Sequence, residues 1–151
     1  MQLIKLIIIS AIAFFLLLTA FTLFIPSKIR ISRAVDIAAE RKSVLPFVQE
    51  LSKWKDWNAY VQDTAGRFNI RLLQVSDSLV TSEWLAGDKH FSSGIAIYEV
   101  RKGTITVQWY FDFKLKWYPW EKIASIVYDR QMGDIMQESL VKLKERIESN
   151  P

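Results

Sequence analysis

The sequence predicts an α+β fold, an antiparallel sheet with its helices on one side, preceded by a single apolar helix. Three observations carry this. Twenty consecutive residues, Leu6 to Ile25, hold no charge. Several short segments then alternate apolar and polar residues, with turn residues between them. The last part of the chain changes to helical spacing. Consecutive antiparallel strands with segregated helices make an α+β layer fold.

At about 1.5 Å per residue, the run LIIISAIAFFLLLTAFTLFI spans roughly 30 Å, the thickness of a bilayer hydrocarbon core. In lipid every backbone amide must be bonded within the segment, so the run is expected to be a helix. Pro26 ends it, followed by the polar Ser27 and Lys28. A cleaved secretory signal has an apolar core of about 7–15 residues and small residues before its cut site. This run is longer and ends on Phe21, Leu23, Phe24 and Ile25, so residues 1–26 read as a retained transmembrane anchor. Ser10, Ala11 and Ala13 form no G-x-x-x-G seam, and no helix pairing is inferred from them. Only Lys5 precedes the run, whereas Lys28, Arg30, Arg33, Arg41 and Lys42 follow it. The positive-inside rule therefore makes this a single-pass membrane protein with a cytoplasmic C-terminal domain.

Residues 27–151 are enough for one domain with one core. With 24% charged and 50% apolar residues in the whole chain, a globular unit is expected rather than a disordered tail. The net charge of +4 is mild and its signs are interspersed. That argues against a nucleic-acid binder, which gathers Lys and Arg on one face, and leaves a modest attraction to anionic headgroups. Without cysteine there are neither disulfides nor thiolate metal sites.

Lys28 to Ala38 alternates: Ile29, Ile31, Val35 and Ile37 share a face with Arg33, the period of a half-buried strand. Glu40 to Leu51 reads as a helix with Val44, Phe47, Val48 and Leu51 at helical spacing, kinked or shortened by Pro46. Trp54 and Trp57 lie three apart on one face of a second short turn, and Asn58 to Gly66 is polar and irregular. Phe68, Ile70 and Leu72 alternate, Ser76-Asp77-Ser78 turns the chain into Leu79 to Leu85, and Gly87-Asp88-Lys89 breaks it again. Ile95 and Ile97 alternate before the hairpin turn Arg101-Lys102-Gly103. In the last strand Ile105, Val107, Trp109, Phe111 and Phe113 share one face, and these large apolar side chains place it at the centre of the core. From Pro119 the chain turns helical, and Gly133-Asp134 reads as the start of a final helix ending near Ser149. Its buried stripe is Met136, Leu140, Leu143 and Ile147.

Four local words extend the reading: Arg33-x-Val35-x-Ile37-x-Ala39, Leu51-x-x-Trp54-x-x-Trp57-Asn58, Thr104-x-Thr106-Val107-x-Trp109, and Gly133-x6-Leu140-x2-Leu143-Lys144. Their order and spacing resemble the START-like, or SRPBCC, superfamily, which includes polyketide cyclase/dehydrase and lipid-transport domains and the birch pollen allergen. Bacterial members with one N-terminal membrane helix and a Pro after it are especially similar. The resemblance covers residues 27–149 and implies a helix-grip fold, a curved antiparallel sheet around a long C-terminal helix with an apolar cavity between them. Family members usually follow the W-x-x-W-N word with Pro, an aromatic and a Gly-rich hairpin. Here Ala59-Tyr60 and about ten irregular residues stand instead, so a smaller sheet is expected, with a reduced cavity or one open on one side.

Candidate sites follow from both readings. The cavity is expected to be lined by Arg33, Glu83, Ile97, Trp109, Phe111 and Leu140. Arg33 has the phase of the inward residues and needs an acceptor such as Glu83, Asp112 or an anionic ligand headgroup; the alternative is a solvated edge arginine. Trp109, Trp117, Tyr118 and Trp120 can line a cavity mouth or simply pack. Trp117-Tyr118-Pro119-Trp120, flanked by Lys114, Lys116 and Lys122, has the composition of a membrane-interface segment. His90 lies in a polar loop with no ligand-spaced companion, so no metal is expected, and no Gly-rich phosphate loop or other cofactor word occurs. Tyr98 with Glu83 is a possible acid–base pair, equally explained by a solvated strand face. The preferred reading is a non-enzymatic, membrane-anchored domain binding a hydrophobic small molecule or lipid, with the bilayer as its partner. The alternatives are a protein-interaction module with a filled core and a cyclase- or dehydrase-type enzyme.

Overall fold

The computed structural model describes residues 2–63, 67–87 and 89–149, and begins with helix α1 (Gln2–Thr22). At 21 residues, about 31 Å, α1 is long and apolar enough to cross a membrane, and its apolar length is not covered by the rest of the chain. It starts and ends a little earlier than the apolar run. Before Pro26 the last amides bond back three residues, Phe24 to Phe21 and Ile25 to Thr22, which tightens the final turn.

Strand β1 (Lys28–Ile37) follows, then helices α2 (Arg41–Gln49), α3 (Leu51–Trp54) and α4 (Ala59–Asp63). Pro46 lies inside α2, and the break at Glu50 separates α2 from α3. The segment expected to be irregular contains α4; Thr64 to Gly66 lie outside the described residues. Strands β2 (Asn69–Val75), β3 (Leu79–Ala86), β4 (Lys89–Arg101) and β5 (Thr104–Lys114) complete the sheet. Gly87 and Gly103 adopt φ of +59° and +79° at the two turns, a region open to glycine because it has no Cβ. Asp88 is outside the described residues.

The five strands run in the order β1-β5-β4-β3-β2, every pair antiparallel. The alternation in β5 is observed: Ile105, Val107, Trp109 and Phe111 are buried, and their neighbours point to the outer face. That outer face is a ladder of cross-strand polar pairs. Arg30 grips Asp112 through two nitrogens at 2.7 and 2.8 Å and lies over the Tyr110 ring, while Thr106 donates to Asp36. The pair holds the Arg30 pKa above its usual value, the Asp112 hydrogen bond being the main cause. Tyr110 covers Gly94, where any Cβ would meet its ring.

Helix α5 (Pro119–Glu148) grips the inner face. Met136, Leu140, Leu143 and Ile147 are buried in one core with the inward sheet residues, as their spacing predicts. The expected helix start at Gly133 is corrected: α5 is one continuous helix of 30 residues that begins at Pro119, the usual place for proline in a helix. Gly133 sits mid-helix because the Arg33 guanidinium occupies the space where a Cβ would stand. The architecture is thus a helix-grip: a curved five-stranded antiparallel sheet around a long C-terminal helix, with an apolar N-terminal helix before it.

Candidate functional site

Four tryptophans fill the middle of the space between sheet and helices. Trp54 and Trp57 come down from α3 and the turn after it, while Trp84 and Trp109 rise from β3 and β5; all four are fully buried. Trp109 has Trp57 at 5.8 Å, Tyr60 at 6.1 Å, Trp84 at 6.2 Å and Phe111 at 5.3 Å between ring centroids. Every indole N–H is satisfied, which a buried tryptophan requires. Trp54 donates to Val48 O, Trp57 to Phe47 O, Trp84 to Ser82 Oγ and Trp109 to Ser93 Oγ. Ser93 in turn donates to Tyr110 O, so its hydroxyl is used in both senses. Nothing in the sequence pattern marks Ser82 or Ser93 as core residues except a phase shared with Trp84 and with Ile95.

Beyond this plug an apolar cavity of about 320 Å³ remains. Its walls are Trp84 and Ala86 of β3, Phe91 of β4, Phe111 and Phe113 of β5, Tyr60 and Phe68 from the connection between β1 and β2, and Tyr128 and Met132 of α5, with Lys89 at the rim. Phe113 pairs with Ile29, just after the end of α1, so the cavity lies at the end of the sheet where α1 joins. Tyr60 is held in its wall by the W-x-x-W-N word. Asn58 caps α4, its Oδ1 accepting the Tyr60 N–H at 3.1 Å, and Ser139 of α5 accepts the Ala59 N–H at 3.0 Å. Burial pushes the Tyr60 hydroxyl up to about 12.

The sequence-predicted cavity residues separate into three groups. Phe111 lines the cavity. Ile97, Trp109 and Leu140 are enclosed in the core, and the Trp57 indole closes on Trp109. Glu83 points to the outer face, where it pairs with Arg71 at 3.0 Å and stands 3.5 Å from His90, itself in β4 rather than in a loop. Arg33 does face inward, under α5, but its acceptors are Asp129 O at 3.2 Å and Ser32 O at 2.8 Å, with the Asp129 carboxylate at 3.6 Å. Glu83 and Asp112 are on the other side of the sheet. Tyr98 and Glu83 do not meet. Glu83 pairs with Ser92, six residues along β4 from Tyr98, roughly 20 Å at strand spacing.

At the start of α5 Tyr118 stacks on Trp120 with ring centroids 5.0 Å apart and meets Trp117, tilted, at 4.9 Å, and both indoles are exposed. Lys122 is buried rather than part of that exposed rim. Its ammonium donates to Thr22 O at 2.9 Å and Ile25 O at 2.8 Å, two carbonyls at the end of α1, where a cation complements the helix dipole. The sequence gives no signal for this clamp, whose partners are 100 and 97 residues away.

No family model matches the sequence, and no curated protein is similar to it. Solved structures are similar in fold. The Aha1 dimer from Colwellia psychrerythraea aligns with a TM-score of 0.62 at 10% identity over 80% of this chain and 96% of that one. CalU16 from Micromonospora echinospora gives 0.59 at 12% identity over 81% and 76%. DynU16, a protein of the dynemicin biosynthetic locus, gives 0.57 at 14% identity over 82% of this chain and 48% of that one. At such identities these likenesses show the helix-grip fold alone.

Proposed function

We propose that this chain is a membrane-anchored, non-enzymatic helix-grip domain that holds one small hydrophobic molecule, or the end of one lipid chain, in the aromatic cavity. The observation that carries the reading is position: an apolar cavity stands at the end of the sheet joined to α1, the helix suited to a bilayer. In this reading α1 spans the membrane once, the domain faces the cytoplasm, and apolar molecules concentrated in the bilayer have a short path to the cavity. At about 320 Å³ the space is near the lower limit of ligand sites, which favours one chain or ring system over a two-chain lipid. Roughly 300 Å² of apolar burial contributes about 7 kcal/mol before the cost of association, consistent with micromolar to millimolar binding. Lys89 at the rim suits a ligand whose polar end is anionic.

The test is native mass spectrometry of the detergent-purified full chain, with organic extraction of whatever co-purifies. A small hydrophobic species is expected in the wild type and absent from Ala86→Phe, which fills the cavity. The chain is also expected to stay in the membrane pellet after carbonate washing; release by salt alone would end the anchored reading. A second reading, a protein-interaction module with a filled core, is favoured by the four-tryptophan plug. A wild type that carries no ligand would hand the case to it.

A further inference from the structure

The outward face of α5 changes character along its length. At 100° per residue, Trp120, Ile123 and Val127 fall on the side opposite the buried stripe, with Ile126 beside them, and all four are exposed. Further along, the same side carries Arg130, Asp134, Glu138 and Glu145, interrupted by Val141. One continuous helix thus has a polar outer face over its second half and an apolar outer face over its first turns.

The apolar part adjoins the end of α1. Lys122, on the inward side of those turns, is bonded to the Thr22 and Ile25 carbonyls, and exposed Phe21, Leu23 and Phe24 stand at that junction. Trp117 and Trp120 bring the amphipathic rings that prefer the headgroup layer. Around them are exposed lysines. Lys28 and Lys114 oppose each other across the β1–β5 ladder, a like-charge pairing that is unfavourable in water unless an anion answers it, and Lys116 follows two residues on. Among the described residues none of these three makes an ion pair.

We propose that the first three turns of α5, with Trp117 and the rim of Lys28, Lys114 and Lys116, form a docking surface for the anionic phospholipid bilayer that holds α1. The proposal rests on α1 being the membrane span. Its occupant is set by continuity with α1 through the Lys122 clamp and by the positive rim. Tyr128 and Met132, next along the same helix, line the cavity, so docking brings the cavity to the lipid surface.

The experiment uses the full chain in vesicles of phosphatidylcholine with a minority of phosphatidylglycerol, a fraction of the lipids brominated on their acyl chains. Four of the six tryptophans are fully buried, so bromine should quench about a third of the emission, that of Trp117 and Trp120. The quenching should vanish in Trp117→Phe/Trp120→Phe. In Ile123→Asp/Val127→Asp it should fall several-fold while the chain still pellets with the vesicles and melts as the wild type does. It should also weaken several-fold in pure phosphatidylcholine. Absent quenching in a chain that stays in the vesicles would overturn the docking and leave the anchor standing. Failure to enter the vesicles would overturn both. An Asp pair that separates a dimer without altering the quenching would assign the face to a second copy of the chain and overturn the proposal.

Discussion

The two ends of the space between the sheet and α5 have the same walls in kind and opposite outcomes. At the far end Ile37, Ile97, Ile105, Leu140, Leu143 and Ile147 interlock, and the four indoles close the middle. At the end joined to α1 the sheet offers Phe91, Phe113 and the small Ala86, and α5 offers Tyr128 and Met132, with a cavity between them. The difference lies in what descends from above. Trp54 and Trp57 plug the middle, whereas among the described residues no tryptophan from above reaches the Phe113 end. A filled interior is expected to respond to substitution as a core does, and an open one to tolerate added volume.

The largest effect is expected at the filled end. Leu140→Asp buries a carboxylate without a partner and should cost several kcal/mol, enough to abolish the cooperative thermal transition seen by circular dichroism. A variant melting like the wild type would break the comparison. Next, Ser93→Ala leaves the Trp109 N–H buried without an acceptor and should cost about 1–3 kcal/mol, read as a lower denaturation midpoint with an unchanged slope.

Tyr60 stands between the two regions and gives a pH-dependent signal. Its hydroxyl is raised from 10 to about 12 by burial, so above pH 10 the unfolded chain loses this proton while the folded chain keeps it. The contribution is therefore complete below about pH 10 and lost by about pH 12. Because the side chain is only partly enclosed, the change is of order 1–2 kcal/mol. Between pH 10 and about 12 the denaturation midpoint of the wild type should fall relative to that of Tyr60→Phe, with a constant offset below pH 10; curves that stay parallel through this window would place Tyr60 in solvent. The smallest effect is expected at the open end, where Ala86→Leu should change stability by less than about 0.5 kcal/mol because its added carbons enter existing space.

Faces were legible in the sequence and depth was not. Alternation from Ile105 to Phe113 and the stripe from Met136 to Ile147 assigned each side chain to its side correctly, because period alone decides that. Which inward residues border empty space depends on Trp54 and Trp57 meeting Trp109 from a different element, a contact that no local spacing encodes. The start of α5 was hidden for a related reason. Its first turns are apolar on the exposed side and carry Lys122 and Ser125 on the buried one, the inverse of the usual amphipathic pattern, and Gly133 has the look of a boundary although it makes room for Arg33. The aromatic stack at Trp117–Trp120 was visible as composition, but its neighbour Lys122 was not visible as a clamp.

The open-versus-filled contrast is tested most directly by diffraction from crystals of the full chain under xenon pressure, since xenon enters dry apolar cavities and is excluded from packed cores. The account predicts an anomalous peak ringed by Phe91, Phe113, Tyr128 and Met132, and none beside Trp109, Ile97 or Leu140. Xenon next to Trp109, or no xenon at the Phe113 end, would contradict it.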